Sequence, residues 1–247
     1  MKRCRASRTG TVEMSTMTLL ERHEKFDALL AAAKSASDAD QRLAAMLADP
    51  ATDRFGQIRI VGALGEIRPG PAGSAALRRV FATAAGSLAG ASKSIKPDYR
   101  DLICASVAAL ARRDGPVATD VYLTAVRSAN AIIRDYGMSA LAVAGDDRAW
   151  DQMLTRLGEV LQRTTSPRGL RWRETCRAIE YLARHARQGS DRPDRLAGLL
   201  RDRWRNLAHP DLIGQWWPGI APGGPPAGTI DLADRHTPQL WWRETSR

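Results

Sequence analysis

Apolar residues recur at helical spacing along nearly all of the 247 residues, and no run alternates apolar with polar positions in the way a half-buried strand requires. Such a chain folds as helices packed on helices. The most regular stretch sets Ile133, Tyr136, Ala140 and Ala144 in phase, turns at Gly145-Asp146-Asp147, and resumes with Trp150, Met153, Leu154, Leu157 and Leu161. The longest apolar stretches are Ala-rich and broken by Arg or Asp, well short of the roughly 20 uninterrupted residues of a membrane span. An all-α protein without a membrane-spanning segment is therefore expected.

Helix, tight turn and helix follow one another several times. A first helix is expected from Thr18, whose spacing to Glu21 makes a capping box, with Leu19, Phe26, Leu30 and Ala33 along one stripe. A second runs from Asp38 to near Ala48 and stops at Asp49-Pro50, because the residue before proline is pushed out of helical geometry. Four pairs should follow. Gln57 to Ile67 joins a helix carrying Leu77, Val80, Phe81, Ala84 and Leu88. A helix from Pro97 joins one ending near Ser128 after the Asp114-Gly115-Pro116 turn, and Ala131 onward joins the Trp150 helix. Arg168 to Arg187 joins a helix opened by Ser190-Asp191-Arg192-Pro193 and carrying Leu196, Leu199, Leu200, Trp204 and Leu207.

These units divide the chain into a disordered basic segment over 1–14, a helical domain over 15–207 and an extended tail over 208–247 that packs on or beyond the stack. The tail differs in kind: from Asn206 to Arg247 it holds six prolines, five glycines and four of the seven tryptophans.

Ala63-Leu64-Gly65, Ala109-Leu110-Ala111 and Ala142-Val143-Ala144 each close a helix just before its turn, and small residues there let neighbouring helices approach. Together with Ser139 to Trp150, which contains the Gly-Asp-Asp turn and the Arg148 that follows it, this pattern resembles the HEAT-repeat family over residues 55 to 207. The resemblance implies a short α-α superhelix of stacked antiparallel helix pairs with a Pro/Gly/Trp-rich extension. It also implies that the second helix of each pair lines a concave surface, which would turn Asp151, Gln152, Arg156, Glu159 and Arg163 toward a ligand. The aligned triplets fall 46 and then 33 residues apart, so an irregular helical bundle is the other architecture open to this sequence.

Reactive groupings do not assemble. His23, His185, His209 and His236 are scattered, without a second ligand at metal spacing. No P-loop, G-x-G-x-x-G or G-x-S-x-G occurs. Asp146, Asp147 and Asp151 lie where acids cap a helix and complement its dipole. Cys4, Cys104 and Cys176 are odd in number and far apart, which suits reduced thiols in a cytoplasmic protein. No catalytic residue, metal or cofactor is expected.

Two features suit binding. The net charge of +10 includes +6 from residues 168 to 205, where eleven arginines meet five acids. Arg173, Arg177, Arg184 and Arg187 fall within about a 100° arc of one helix, although Glu180 shares it and an ion-paired surface is the alternative. Trp216-Trp217 and Trp241-Trp242 either cover an end of the stack or anchor a partner. The expected function is a non-enzymatic scaffold that binds a protein partner through Arg156, Arg163, the four clustered arginines and the four tryptophans. The alternative is a DNA-binding protein, using the Arg-rich end either for phosphate contacts alone or as a DNA glycosylase, since a basic HEAT-like fold of this size is similar in outline to the alkylpurine DNA glycosylases.

Overall fold

A computed structural model describes residues 19–164, 170–186, 191–217 and 219–224, and all regular structure among them is helical. Thr18 and the expected 1–14 segment lie outside these residues, as do Arg187, Trp241 and Trp242. The helices are α1 (Leu19–Ser35), α2 (Ala39–Ala48), α3 (Arg54–Leu64), α4 (Pro71–Leu88), α5 (Lys96–Arg113), α6 (Thr119–Val126), α7 (Ala131–Ala144), α8 (Trp150–Val160), α9 (Leu170–Arg184), α10 (Arg192–Asp202) and α11 (Pro210–Trp216). None is long and apolar enough to cross a membrane.

Local chemistry sets most boundaries. Asp53 accepts a 2.7 Å bond from the Gly56 N–H and so starts α3 three residues ahead of the expected Gln57. Asn130 caps α7 by accepting from Ile132 and Ile133, and Asp146 accepts from Arg148 N in the turn before α8. Prolines occupy the first turns of α4, α5, α10 and α11, where the missing N–H leaves no bond unmade. Between α5 and α6 the chain reverses through Gly115 at φ +56°, a left-handed conformation that a side chain resists, and continues as a 3₁₀ turn.

Helices that are neighbours in sequence pair differently from the expectation. Among consecutive helices the closer pairs are α2 with α3, α4 with α5, α6 with α7, and α8 with α9, whereas α3 and α4, or α7 and α8, meet far less across their tight turns. From α3 onward the pairing is thus offset by one helix from the expected one. Glycine shows why: a Cβ on Gly137 of α7 would lie 2.7 Å from Val126 N and 2.9 Å from Tyr122 O, so these two backbones approach only because Gly137 has no side chain. Alternate helices α3, α5, α7 and α9 each pack on the next in a continuous layer. At the first of these contacts an added Cβ on Gly65 would sit 3.1 Å from Ala109, so the small residues singled out in the sequence do lie at a close approach.

The core runs between this layer and the helices paired with it, from Leu43, Ile60, Leu64 and Leu77 through Leu110, Tyr122 and Trp150 to Tyr181, Leu200 and Ile220. The described part of the tail joins it. Pro210–Trp216 is a two-turn helix rather than extended chain, and Trp217, 1% exposed, is buried beyond it. Arg201 holds the following turn through the carbonyls of Gly219 and Ile220, and Asn206 Nδ2 donates to Leu161 O at 2.7 Å.

Candidate functional site

A groove of about 640 Å³ crosses the α3–α5–α7–α9 layer. Small side chains make room for it: Gly62 comes from α3, and Cys104, Ala105 and Ala108 come from α5. Ile58, Ile132 and Leu170 add apolar wall. Its polar residues are Arg100, Asp101 and Arg112 of α5, Asp135 and Tyr136 of α7, and Arg173 of α9.

Asp135 is the unusual member. Only 3% of it is exposed, one carboxylate oxygen pairs with Arg173 at 3.0 Å, and the other, Oδ1, has no hydrogen-bond partner. Burial pushes its carboxyl above the ordinary range, against the pull of Arg173 and Arg177. A carboxylate held this way can accept a proton or an N–H more readily than a solvated one. One turn along α7, the buried Ser139 hydroxyl also lacks a partner. Burial likewise raises the Tyr136 phenol, and it pushes the Cys104 thiol up to about 12, so Cys104 is not a thiolate nucleophile at neutral pH. Arg100 is tied to Asp101 at 2.7 Å. Arg112 is exposed and, among the described residues, makes no hydrogen bond or ion pair through its side chain.

The arginines expected to form a basic surface on α9 have separate fates. Arg173 is half exposed at the groove, and Arg177 is 7% exposed and paired with the fully buried Glu180 at 3.0 Å. Arg184 contacts Glu180 and the Ala142 carbonyl. The pairing alternative therefore describes Arg177 and Arg184, though the acid they share is inside the protein rather than solvated. Arg156 of α8 is held by Glu174 at 2.7 Å and Glu159 at 3.0 Å and lines a different cavity. Arg163 stands exposed beyond α8. Trp216 is half-buried beside Trp172, with ring centroids 6.3 Å apart, while Trp217 belongs to the core.

Asp135 was not among the expected site residues. The signal was present: from Tyr136 to Ala144 the α7 sequence carries no charge on any side, which marks a largely buried helix, and an acid immediately before such a stretch enters the interior with it. Among the described residues, no group of three or more His, Cys, Asp or Glu side chains is placed to hold a metal.

No family model, no curated protein and no solved structure matches this chain.

Proposed function

We propose that the chain is a non-enzymatic scaffold of the HEAT-repeat type, a short cytoplasmic superhelix that binds an acidic segment of a partner protein in the α3–α5–α7–α9 groove. The groove is the observation that supports this most. It spans four helices, has a small-residue floor, and is lined by the exposed guanidiniums of Arg112 and Arg173. Continuous packing of alternate helices against looser packing of the others is also the pattern that curvature gives a stack of helix pairs. Apolar contacts with Ile58, Ile132 and Leu170 supply affinity, and the arginines orient a carboxylate-bearing segment.

Selection of displayed peptides on the full chain, followed by binding to Gly62→Phe, tests this reading. An added Cβ at Gly62 meets nothing within 4 Å, so the new ring obstructs the groove without disturbing α3. Acidic peptides that bind the wild type and not this variant are expected. A selection that enriches nothing, or peptides indifferent to the block, would sink the idea.

A second reading, DNA binding with base excision, is favoured by Asp135 alone. This buried acid lines the same groove as Tyr136, Arg100, Arg112 and Arg173, and the alkylpurine DNA glycosylases combine an acid, aromatic walls and a basic surface. Duplex binding that is strong at about 50 mM salt and collapses at about 200 mM, as released counterions require, together with abasic sites formed by wild type but not by Asp135→Asn, would select it. Absence of duplex binding at the lower salt removes it.

A further inference from the structure

Away from the groove, a cavity of about 580 Å³ opens between the end of α6, the 127–130 linker, the start of α7 and the outer side of α8. Three arginines from three different elements line it: Arg127 just after α6, Arg134 in the first turn of α7, and Arg156 on α8. Leu123, Val126 and Met153 give it an apolar wall, and Ser128, Gln152 and Thr155 give it neutral polar groups. Glu159 is its one acidic lining residue. We propose that this cavity binds an organic anion, a phosphate or carboxylate group carried on an apolar body.

The argument rests on how the three guanidiniums are occupied. Arg156 is committed to acids, with Nε and Nη2 donating to Glu174 and Nη1 to Glu159. Arg127 makes one bond, from Nη2 to the neutral Gln152 carbonyl oxygen at 2.6 Å. Arg134 spends Nη1 on the Ser128 and Ala129 carbonyls at 2.9 and 2.8 Å, which folds the linker around it. Its Nε is buried without a hydrogen-bond partner, the nearest carboxylate oxygen, on Glu174, being 3.9 Å away. Two guanidiniums therefore stand beside a cavity with only neutral acceptors in their bonds. Glu174 and Glu159 are both held by Arg156, so the three arginines and two acids leave one net positive charge at the cavity, on the side of Arg127 and Arg134. An anion placed between Arg127 and Arg134 gains charge-assisted bonds from donors already fixed in position, while its body covers Leu123, Val126 and Met153. The volume suits a small organic molecule.

Isothermal titration of the full chain with phenyl phosphate, benzoate and inorganic phosphate tests this, with benzyl alcohol as the uncharged probe. One-site saturation by phenyl phosphate or benzoate is expected, and whichever binds tighter identifies the anionic group. Arg127→Gln should weaken binding about tenfold or more, since a charge-assisted bond is lost. Gln152→Glu, which keeps the fold and brings a competing carboxylate beside Arg127, should abolish it. Arg163→Gln, an exposed arginine outside the cavity, should leave it unchanged. The proposal is overturned if neither organic anion saturates below about 10 mM, or if the two cavity variants bind as the wild type does. It is also overturned if inorganic phosphate binds as tightly as phenyl phosphate, which would mean an adventitious ion only, or if benzyl alcohol binds as well as the anions.

Discussion

Arg113 at the end of α5 and Asp40 in α2 form an ion pair inside the protein, and it joins four helices and the α3–α4 turn at one point. The Arg113 side chain is wholly shielded. Its Nη1 donates to Leu64 O at 2.8 Å where α3 ends, Nη2 donates to Gly70 O at 2.7 Å in the α3–α4 turn, and Nε donates to Ser74 Oγ at 3.2 Å in α4. Asp40 also accepts from Gly73 N at 3.0 Å. Arg113→Met fills the volume but strands the Asp40 carboxylate and two carbonyls. A loss of about 3–5 kcal/mol in a urea titration is expected, the usual cost of breaking a buried pair on one side. A loss under about 1 kcal/mol would mean that water replaces the guanidinium and that the hub does not hold α2 to α5.

Gly137 and Gly62 make opposite predictions from the same substitution. In the interior of a helix, glycine to alanine is favourable by about 1 kcal/mol when nothing obstructs the methyl. At Gly62 nothing does, so Gly62→Ala should raise the melting temperature. At Gly137 the methyl would press on Val126 N and Tyr122 O, which are backbone atoms and cannot rotate away. Gly137→Ala should therefore cost about 1–3 kcal/mol as overpacking. Equal responses at the two sites would contradict the close α6–α7 pairing.

Helix ends were legible in the sequence because their causes are local: Asp49 before Pro50, Asn130 before α7, and the Gly145-Asp146-Asp147 turn all act within a few residues. Which helix packs on which was not. Both pairings of consecutive helices bury the same stripes, and the fit of backbones at Gly137 is what separates them. The sequence left the arginines of α9 open between a basic face and an ion-paired one for a related reason. Helical spacing puts Arg177 and Glu180 beside the Cys176-Ile179 stripe, but whether such residues are solvated depends on α7 and α8, which cover them from elsewhere in the chain.

Asp135 should cost the protein stability at neutral pH. Its folded-state pKa is raised above the ordinary value of 3.8, chiefly by burial, so its contribution is fully present below that value and is lost as pH rises through the raised one. Asp135→Asn removes the ionisation. The variant should match the wild type near pH 3.8 or below and exceed it at pH 7, by an amount thermal melts across that range would resolve. An acid retained against stability is the mark of a group kept for binding or proton transfer. Should the asparagine variant instead melt lower at pH 7, the Arg173 ion pair is structural, and the groove loses its most telling residue.

Arg177 and Arg112 separate support from recognition among the arginines. Arg177 is 7% exposed and bonded to a Glu180 that is fully buried, with Arg184 3.5 Å from the same carboxylate. Arg177→Gln leaves that acid with less compensation and should lower stability by about 3 kcal/mol or more. Whatever fraction of the variant is folded should still bind groove peptides as the wild type does, because Arg177 does not line the groove. Arg112 is exposed and its side chain makes no bond among the described residues. Arg112→Gln should change stability by less than about 0.5 kcal/mol while weakening acidic peptides, with the deficit shrinking as salt is added. Measuring both variants by denaturation and by peptide binding gives a crossed result if the groove is the docking surface. If Arg112→Gln binds normally, the charge around the groove serves no partner, and the cavity beside Arg127 becomes the better place to look.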